Sequence, residues 1–239
     1  MGFDRGRLLI SSLVISVLLL YTAPASAAVT SYEIVDLGPL ATASSQAASI
    51  NNNGHIAFNA LAVDGTEHTY LYRNGQSEDI GSLGGGFSLA RHINELDEVV
   101  GHSKLSVWSG TEHAFRYRDG QMTDLGALDS ESSWARGNNE NGVIVGEAYT
   151  RFSAWVAVIF DPTTGVPRAL NQIAPVWTPT RAWDLQRANA VNNAGQIVGV
   201  GVVGTPSFFG ISNGAMRGFM YDGLTLTELG ALGGYTSNA

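Results

Sequence analysis

Four times along the chain a small residue and an asparagine lead into a polar turn and then an apolar run. The copies read AASINNNGHIAF from Ala47, ARHINELDEVVG from Ala90, ARGNNENGVIVG from Ala135 and ANAVNNAGQIVG from Ala188. A second phrase alternates with the first: VDLGPL at Val35, EDIGSLGG at Glu78, TDLGAL at Thr123 and TELGALGG at Thr227. Matched positions lie about 43 to 45 residues apart through the first three copies and about 53 in the last, which carries an insertion. A period of this size marks a repeat array whose unit cannot bury its own apolar face.

One unit reads as four short strands. In the third copy Ser132 to Asn138 is the first, and Asn139 to Gly142 is a tight turn, with Asp97 standing in the glycine's place in the second copy. Val143 to Gly146 is apolar at consecutive positions, as expected of a strand covered on both faces. The third strand is clearest in the second copy, where Phe115 and Tyr117 alternate with Arg116 and Arg118. Asp119-Gly120 then predicts a two-residue hairpin turn, and Gln121 to Leu125 the fourth strand. The first copy repeats this with Asn74-Gly75 and the last with Asp222-Gly223, whereas the third has the longer turn Asp161 to Gly165. Four antiparallel strands per unit of about 45 residues predict an all-β chain of β-propeller blades. A solenoid, with one or two strands in shorter units, fits less well. No helical period runs through the chain beyond its start.

That start is a targeting segment. Arg5 and Arg7 precede an apolar run from Leu8 to Leu20, and Ala25-Ser26-Ala27 is a cleavage site of the A-x-A form. The run is shorter than the roughly 20 residues that cross a bilayer, so export with cleavage after Ala27 is favoured over an uncleaved anchor. Residues 28–239 then form one repeat domain with no stable membrane insertion. The formal charge of −8 becomes −9 once Asp4, Arg5 and Arg7 are removed, and Lys104 is the one lysine. Such a surface repels phosphate backbones, which argues against nucleic acid as a partner. There is no cysteine, so disulfides, thiolate metal sites and a cysteine nucleophile are excluded.

The linked phrases His113-Ala114-Phe115, Asp79 to Gly85, Ser88 to Asn94 and Val99-Val100-Gly101 resemble those of the HAF family of bacterial extracellular repeats. The resemblance runs from Tyr32 to Ala239. It implies an exported propeller-like protein and carries no catalytic residues with it.

Most polar residues of the repeat have a structural reading. Asp36, Asp79 and Asp124, with Glu228 in the last copy, precede Leu/Ile-Gly and are expected to accept backbone N–H groups in that turn. Asn51, Asn94, Asn139 and Asn192 are expected to hydrogen-bond their own turns. His68 and His113 fall in separate blades, and His92 and His102 approach each other at most across one hairpin without a third ligand, so no metal site is assigned. Gly210 to Gly214 matches G-x-S-x-G by letter but lacks a following helix and histidine. No cofactor motif occurs.

The departures from the repeat point elsewhere. The link from Ala174 to Asp184 and the insertion from Gly201 to Met216 read as long loops, with Trp177, Arg181, Trp183, Phe208 and Phe209 as candidate ligand contacts. Aromatics packed back as a plug are the structural alternative. The leading function is an exported, non-enzymatic protein that binds a glycan, a peptide or a surface protein. One rival is a polysaccharide hydrolase or lyase using Glu112, Glu131, Glu147 or Asp184. The other is a purely structural array. Finally, Tyr32 to Gly38 is a fourth-strand phrase without its blade, and Gly230 to Ala239 breaks off within the next phrase, which predicts an incomplete or open ring of about four units.

Overall fold

The computed structural model describes residues 44–129, 131–152, 154–161, 163–208 and 210–230, all of them within one compact unit, Leu37–Ala239. They form sixteen strands in four four-stranded antiparallel sheets, each strand pairing with the next in sequence. The first sheet holds β1 (Ser45–Ile50), β2 (Ile56–Leu61), β3 (Glu67–Arg73) and β4 (Gln76–Asp79). The second holds β5 (Ser88–Ile93), β6 (Val99–Lys104), β7 (Glu112–Arg118) and β8 (Gln121–Asp124). The third holds β9 (Ser133–Asn138), β10 (Ile144–Tyr149), β11 (Trp155–Phe160) and the two-residue β12 (Arg168–Ala169). The fourth holds β13 (Ala182–Val191), β14 (Ile197–Ser207), β15 (Gly210–Tyr221) and β16 (Leu226–Glu228). These are the blades of a β-propeller, in the phase the repeat predicts. The one helical element among the described residues is a 3-10 turn, Leu170–Gln172.

Stacking explains the consecutive apolar positions. Val99 packs toward the first sheet with Ala57, Leu71 and Phe115, while its neighbour Val100 packs toward the third with Ala135, Ile144 and Phe160. One repeat further on, Ile144 faces back to the second sheet and Val145 faces forward to Trp183 and Leu185 of the fourth. The core is therefore layered between sheets, not one centre, with the second strands of the inner sheets covered on both faces, and a smaller cluster of Phe58, Ala60 and Tyr70 lies on the first sheet. First strands adjoin one another, β1 on β5, β5 on β9 and β9 on β13. Packing of comparable extent between the fourth sheet and the first does not occur among the described residues. The predicted phrases at 32–38 and 231–239, and with them Asp36, lie outside those residues.

Each of the four first strands is bulged just after a shared alanine: Ala47, Ala90, Ala135 and Ala188. The bulge brings the strand's backbone against its partner. A Cβ on Gly146 would lie 2.0 Å from the Trp134 carbonyl oxygen, which is why the second strand ends its apolar run in glycine. At Asp119-Gly120 both residues have positive φ, 52° and 79°, as a two-residue hairpin of the primed type requires.

Two expectations change. Asp222-Gly223 is not a two-residue turn: Tyr221 pairs with Leu226 across a four-residue loop. The Asp222 carboxylate accepts N–H groups of Leu224 and Thr225 and the Thr225 hydroxyl, at 2.7 to 2.9 Å, and this side-chain turn closes the longer loop, with Gly223 at a φ of 93°. The insertion from Gly201 to Met216 is not a loop either. It lengthens β14 and β15 to 11 and 12 residues, against 6 or 7 in the other sheets, because its alternating residues find ladder partners through Ser207 and Gly210.

Candidate functional site

The repeated polar residues are committed to the framework. Asn139 Oδ1 accepts the N–H groups of Asn141 and Val143 within its own turn, at 3.1 and 2.9 Å. Its Nδ2 donates to the Asn192 carbonyl of the next sheet at 2.8 Å. Asn51 and Asn94 make the same inter-sheet bond, to the carbonyls of Asn94 and Asn139. The result is an asparagine ladder that runs from sheet to sheet; its last member, Asn192, turns Nδ2 to Gln196 Oε1 instead. The turn role was readable in the sequence, but the inter-sheet bond was not, since it needs the spatial stacking of repeats.

Asp79 and Asp124 accept the N–H groups of Gly81 and Gly126, at 2.8 and 2.7 Å, as the turn reading predicts. Each also takes a hydrogen bond from the histidine 11 residues earlier, His68 or His113. Burial pushes the Asp124 carboxyl upward, but His113 and the Gly126 N–H outweigh it and hold it below the usual carboxylate range. In the fourth sheet Arg217 and Glu228 occupy the same pair of positions, 3.0 Å apart. In the third, Val156 and Ala169 do, so the pair is dispensable.

The departures from the repeat build a groove of about 510 Å³ against the fourth sheet. The link from the third sheet supplies Asn171, Val176 and Trp177, β13 supplies Trp183 and Asp184, and the long hairpin supplies Val202, Gly210 and Ile211. Trp177, anchored by a bridge to Ala182, is 56% exposed. Trp183 is 6% exposed and sits edge-on to Phe219, with ring centres 6.4 Å apart. Asn171 fixes the link: its Oδ1 accepts the Leu185 N–H at 2.8 Å and its Nδ2 donates to Asp184 Oδ1 at 3.0 Å. Among the described lining residues Asp184 is the one carboxylate. In one groove an exposed indole can stack on a sugar or ring, while an amide and a carboxylate hydrogen-bond its hydroxyl groups.

The other predicted contacts lie apart from this groove. Arg181 covers the Trp183 ring at 5.6 Å but pairs with Glu228, and it lines a separate cavity of about 380 Å³ together with Arg217. Phe208 stands at the hairpin tip, 96% exposed, and Phe209 lies outside the described residues. The candidate carboxylates are dispersed. Glu147 is ion-paired with Arg136 and Arg187, Glu112 accepts the Trp134 indole N–H at 3.0 Å, and Glu131 is exposed.

A feature missed in the sequence joins the second and third sheets: the rings of Phe87, His102, Trp134, Trp155 and Tyr149 follow one another at centre distances of 4.7 to 6.2 Å. His102 is 3% exposed. Burial, with Arg91 and Arg136 nearby, pushes its imidazole down to about 3. His92 does not approach it: His92 pairs with Val100 and His102 with Leu89 in the ladder, and His92 Nδ1 meets Asn138 Oδ1 at 2.7 Å. Among the described residues no three His, Cys, Asp or Glu side chains gather as metal ligands, and no helix is long and apolar enough to cross a membrane.

No family model and no curated protein matches the chain. Among solved structures it is similar to TolB from Acinetobacter baumannii, at 17% identity and a TM-score of 0.43. The likeness covers 74% of this chain and 43% of that one, so the chain spans less than half the length of the protein it matches.

Proposed function

We propose that this chain is an exported, non-enzymatic binding protein of the HAF repeat type, and that the groove beside Trp177 takes a glycan. The observation that carries the reading is the exposed Trp177, which lines one groove with Asn171 and Asp184 where the two segments that break the repeat meet. The targeting segment at residues 5–27 supports export, and the linked HAF-like phrases support the family. Long segments on a rigid blade array are where ligand contacts concentrate.

The test uses protein recovered outside the cytoplasm, whose N-terminus is expected at Ala28, on a glycan array and in a hydrolase screen. Saccharide binding without turnover is expected, and Trp177→Ala lowers the affinity at least about tenfold while leaving stability within about 0.5 kcal/mol, as for an exposed side chain. Sugar release would replace this reading with that of a polysaccharide-active enzyme. Silence on both would leave a peptide or surface-protein ligand, or a structural array, and overturn the glycan.

A further inference from the structure

The four repeats provide an internal comparison at their first-strand bulges. The bulged residue is Ala48 in the first sheet, Arg91 in the second, Arg136 in the third and Asn189 in the fourth. The facing residue on the second strand, one past the position opposite the shared alanine, is Asn59, His102, Glu147 and Val200 respectively. In the third sheet the two positions neutralise each other: Arg136 Nε and Nη2 both donate to Glu147 Oε1, at 3.0 and 2.5 Å. Arg187 reaches the other carboxylate oxygen at 3.4 Å.

In the second sheet the matching carboxylate is missing. His102 stands in its place, held neutral by burial and by the cations Arg91 and Arg136. Arg91 has no hydrogen bond and no ion pair among the described residues. Its guanidinium is partly desolvated and repelled by Arg136, which together outweigh the pull of Glu147 and Glu112 and hold it below the usual arginine range. The side chain is exposed, and its guanidinium keeps N–H donors free for a ligand.

Space for one lies beside it. The first sheet has Ala48 where its neighbours carry arginine, and a cavity of about 180 Å³ opens there, lined by Gln46, Ala47, Ala48, Asn59, Ala90 and Arg91. That is room for roughly six waters at their liquid volume. None of these residues lines the Trp177 groove.

We infer that this cavity is a second binding site, for a small oxyanion group, a carboxylate or sulfate, held by Arg91 on the side that faces the first sheet. The planar guanidinium fork presents paired N–H donors to two oxygens of such a group, and the Gln46 amide adds a further donor at the cavity wall. The three alanines leave the space that the group occupies.

The test titrates the purified protein with sodium glucuronate, sodium sulfate and, as the uncharged control, glucose. Saturable binding of the anions and none of glucose is expected. Equal affinity for the two anions marks recognition of the oxyanion alone, and preference for glucuronate marks an acidic sugar; either outcome supports the site. Arg91→Gln, at an exposed side chain, weakens binding at least tenfold. His102→Glu installs the carboxylate that the third sheet carries, and it abolishes anion binding by supplying the counter-charge internally. Trp177→Ala leaves anion binding unchanged, so failure of the groove and failure of this site are separable. No saturable anion binding, equal response to glucose and glucuronate, or unaltered affinity in Arg91→Gln would overturn the inference.

Discussion

The second and fourth sheets are built on the same phrase and use it differently. In the second, the repeated residues are spent on the framework: Asn94 bonds forward to Asn139, His113 pairs with Asp124, and Asp119-Gly120 closes a two-residue hairpin. The fourth keeps the strand order but lengthens its middle hairpin, ends the asparagine ladder internally at Gln196, and leaves a groove beside Trp177. Residues that recur serve what recurs, namely stacking one sheet on the next. Space for a ligand arises where the phrase is interrupted or where one position of it changes.

The largest expected effect breaks the regular part. A side chain at position 146 meets backbone, not a movable side chain, so Gly146→Val should destabilise by about 4 kcal/mol or prevent folding. At the tip of the long hairpin, by contrast, a Cβ on Gly210 meets nothing within 4 Å, and it is the backbone φ of +120° that favours glycine there. Urea titration of the soluble variant, or its loss from the soluble fraction, checks this; a shift below about 1 kcal/mol would mean that the bulge is not fixed.

A second comparison sets the interior of the ladder against its end. Asn139→Ala strands two turn N–H groups and removes the bond to the fourth sheet, for a cost of about 3 kcal/mol. Asn192→Ala removes turn bonds only and should cost about 1 kcal/mol. Equal costs for the two, measured by denaturant midpoint, would show that the inter-sheet bond contributes nothing.

The smallest effect at ordinary pH concerns His102, whose counterpart in the fourth sheet is Val200. With the folded-state value near 3 and the ordinary value 6.5, the unfolded chain binds one more proton between them. This contribution to stability is full above about pH 6.5 and declines by about 1.4 kcal/mol per unit as the pH falls toward 3, or about 2 kcal/mol at pH 5. His102→Val, which places the fourth sheet's residue in the second, should flatten that part of the profile. An unchanged difference between denaturation curves at pH 7.5 and pH 5 would place the titration elsewhere.

Local chemistry accounts for the features that were legible along the chain. Periodic phrases, consecutive apolar pairs and Asp-Gly or Asn-Gly turns set the four-stranded unit and its phase, because strand faces and turn dihedrals depend on residues a few positions apart. The role of Asp79 and Asp124 was legible for the same reason, since the N–H groups they accept are two residues away. Tertiary structure alone decided the rest. The Asn139 bond to Asn192 spans 53 residues, the Phe87-to-Tyr149 ring series joins two sheets, and Trp177 shares a groove with Ile211 only because the inserted residues extend a hairpin that the sequence read as a loop. Arg91 shows the limit most plainly. Its sequence context matches that of Arg136 apart from His102 in the position of Glu147, and the burial of His102 and the cavity beside Ala48 set the space around it. Desolvation and the distance to a counter-charge are properties of packed space, and no spacing along the chain encodes them.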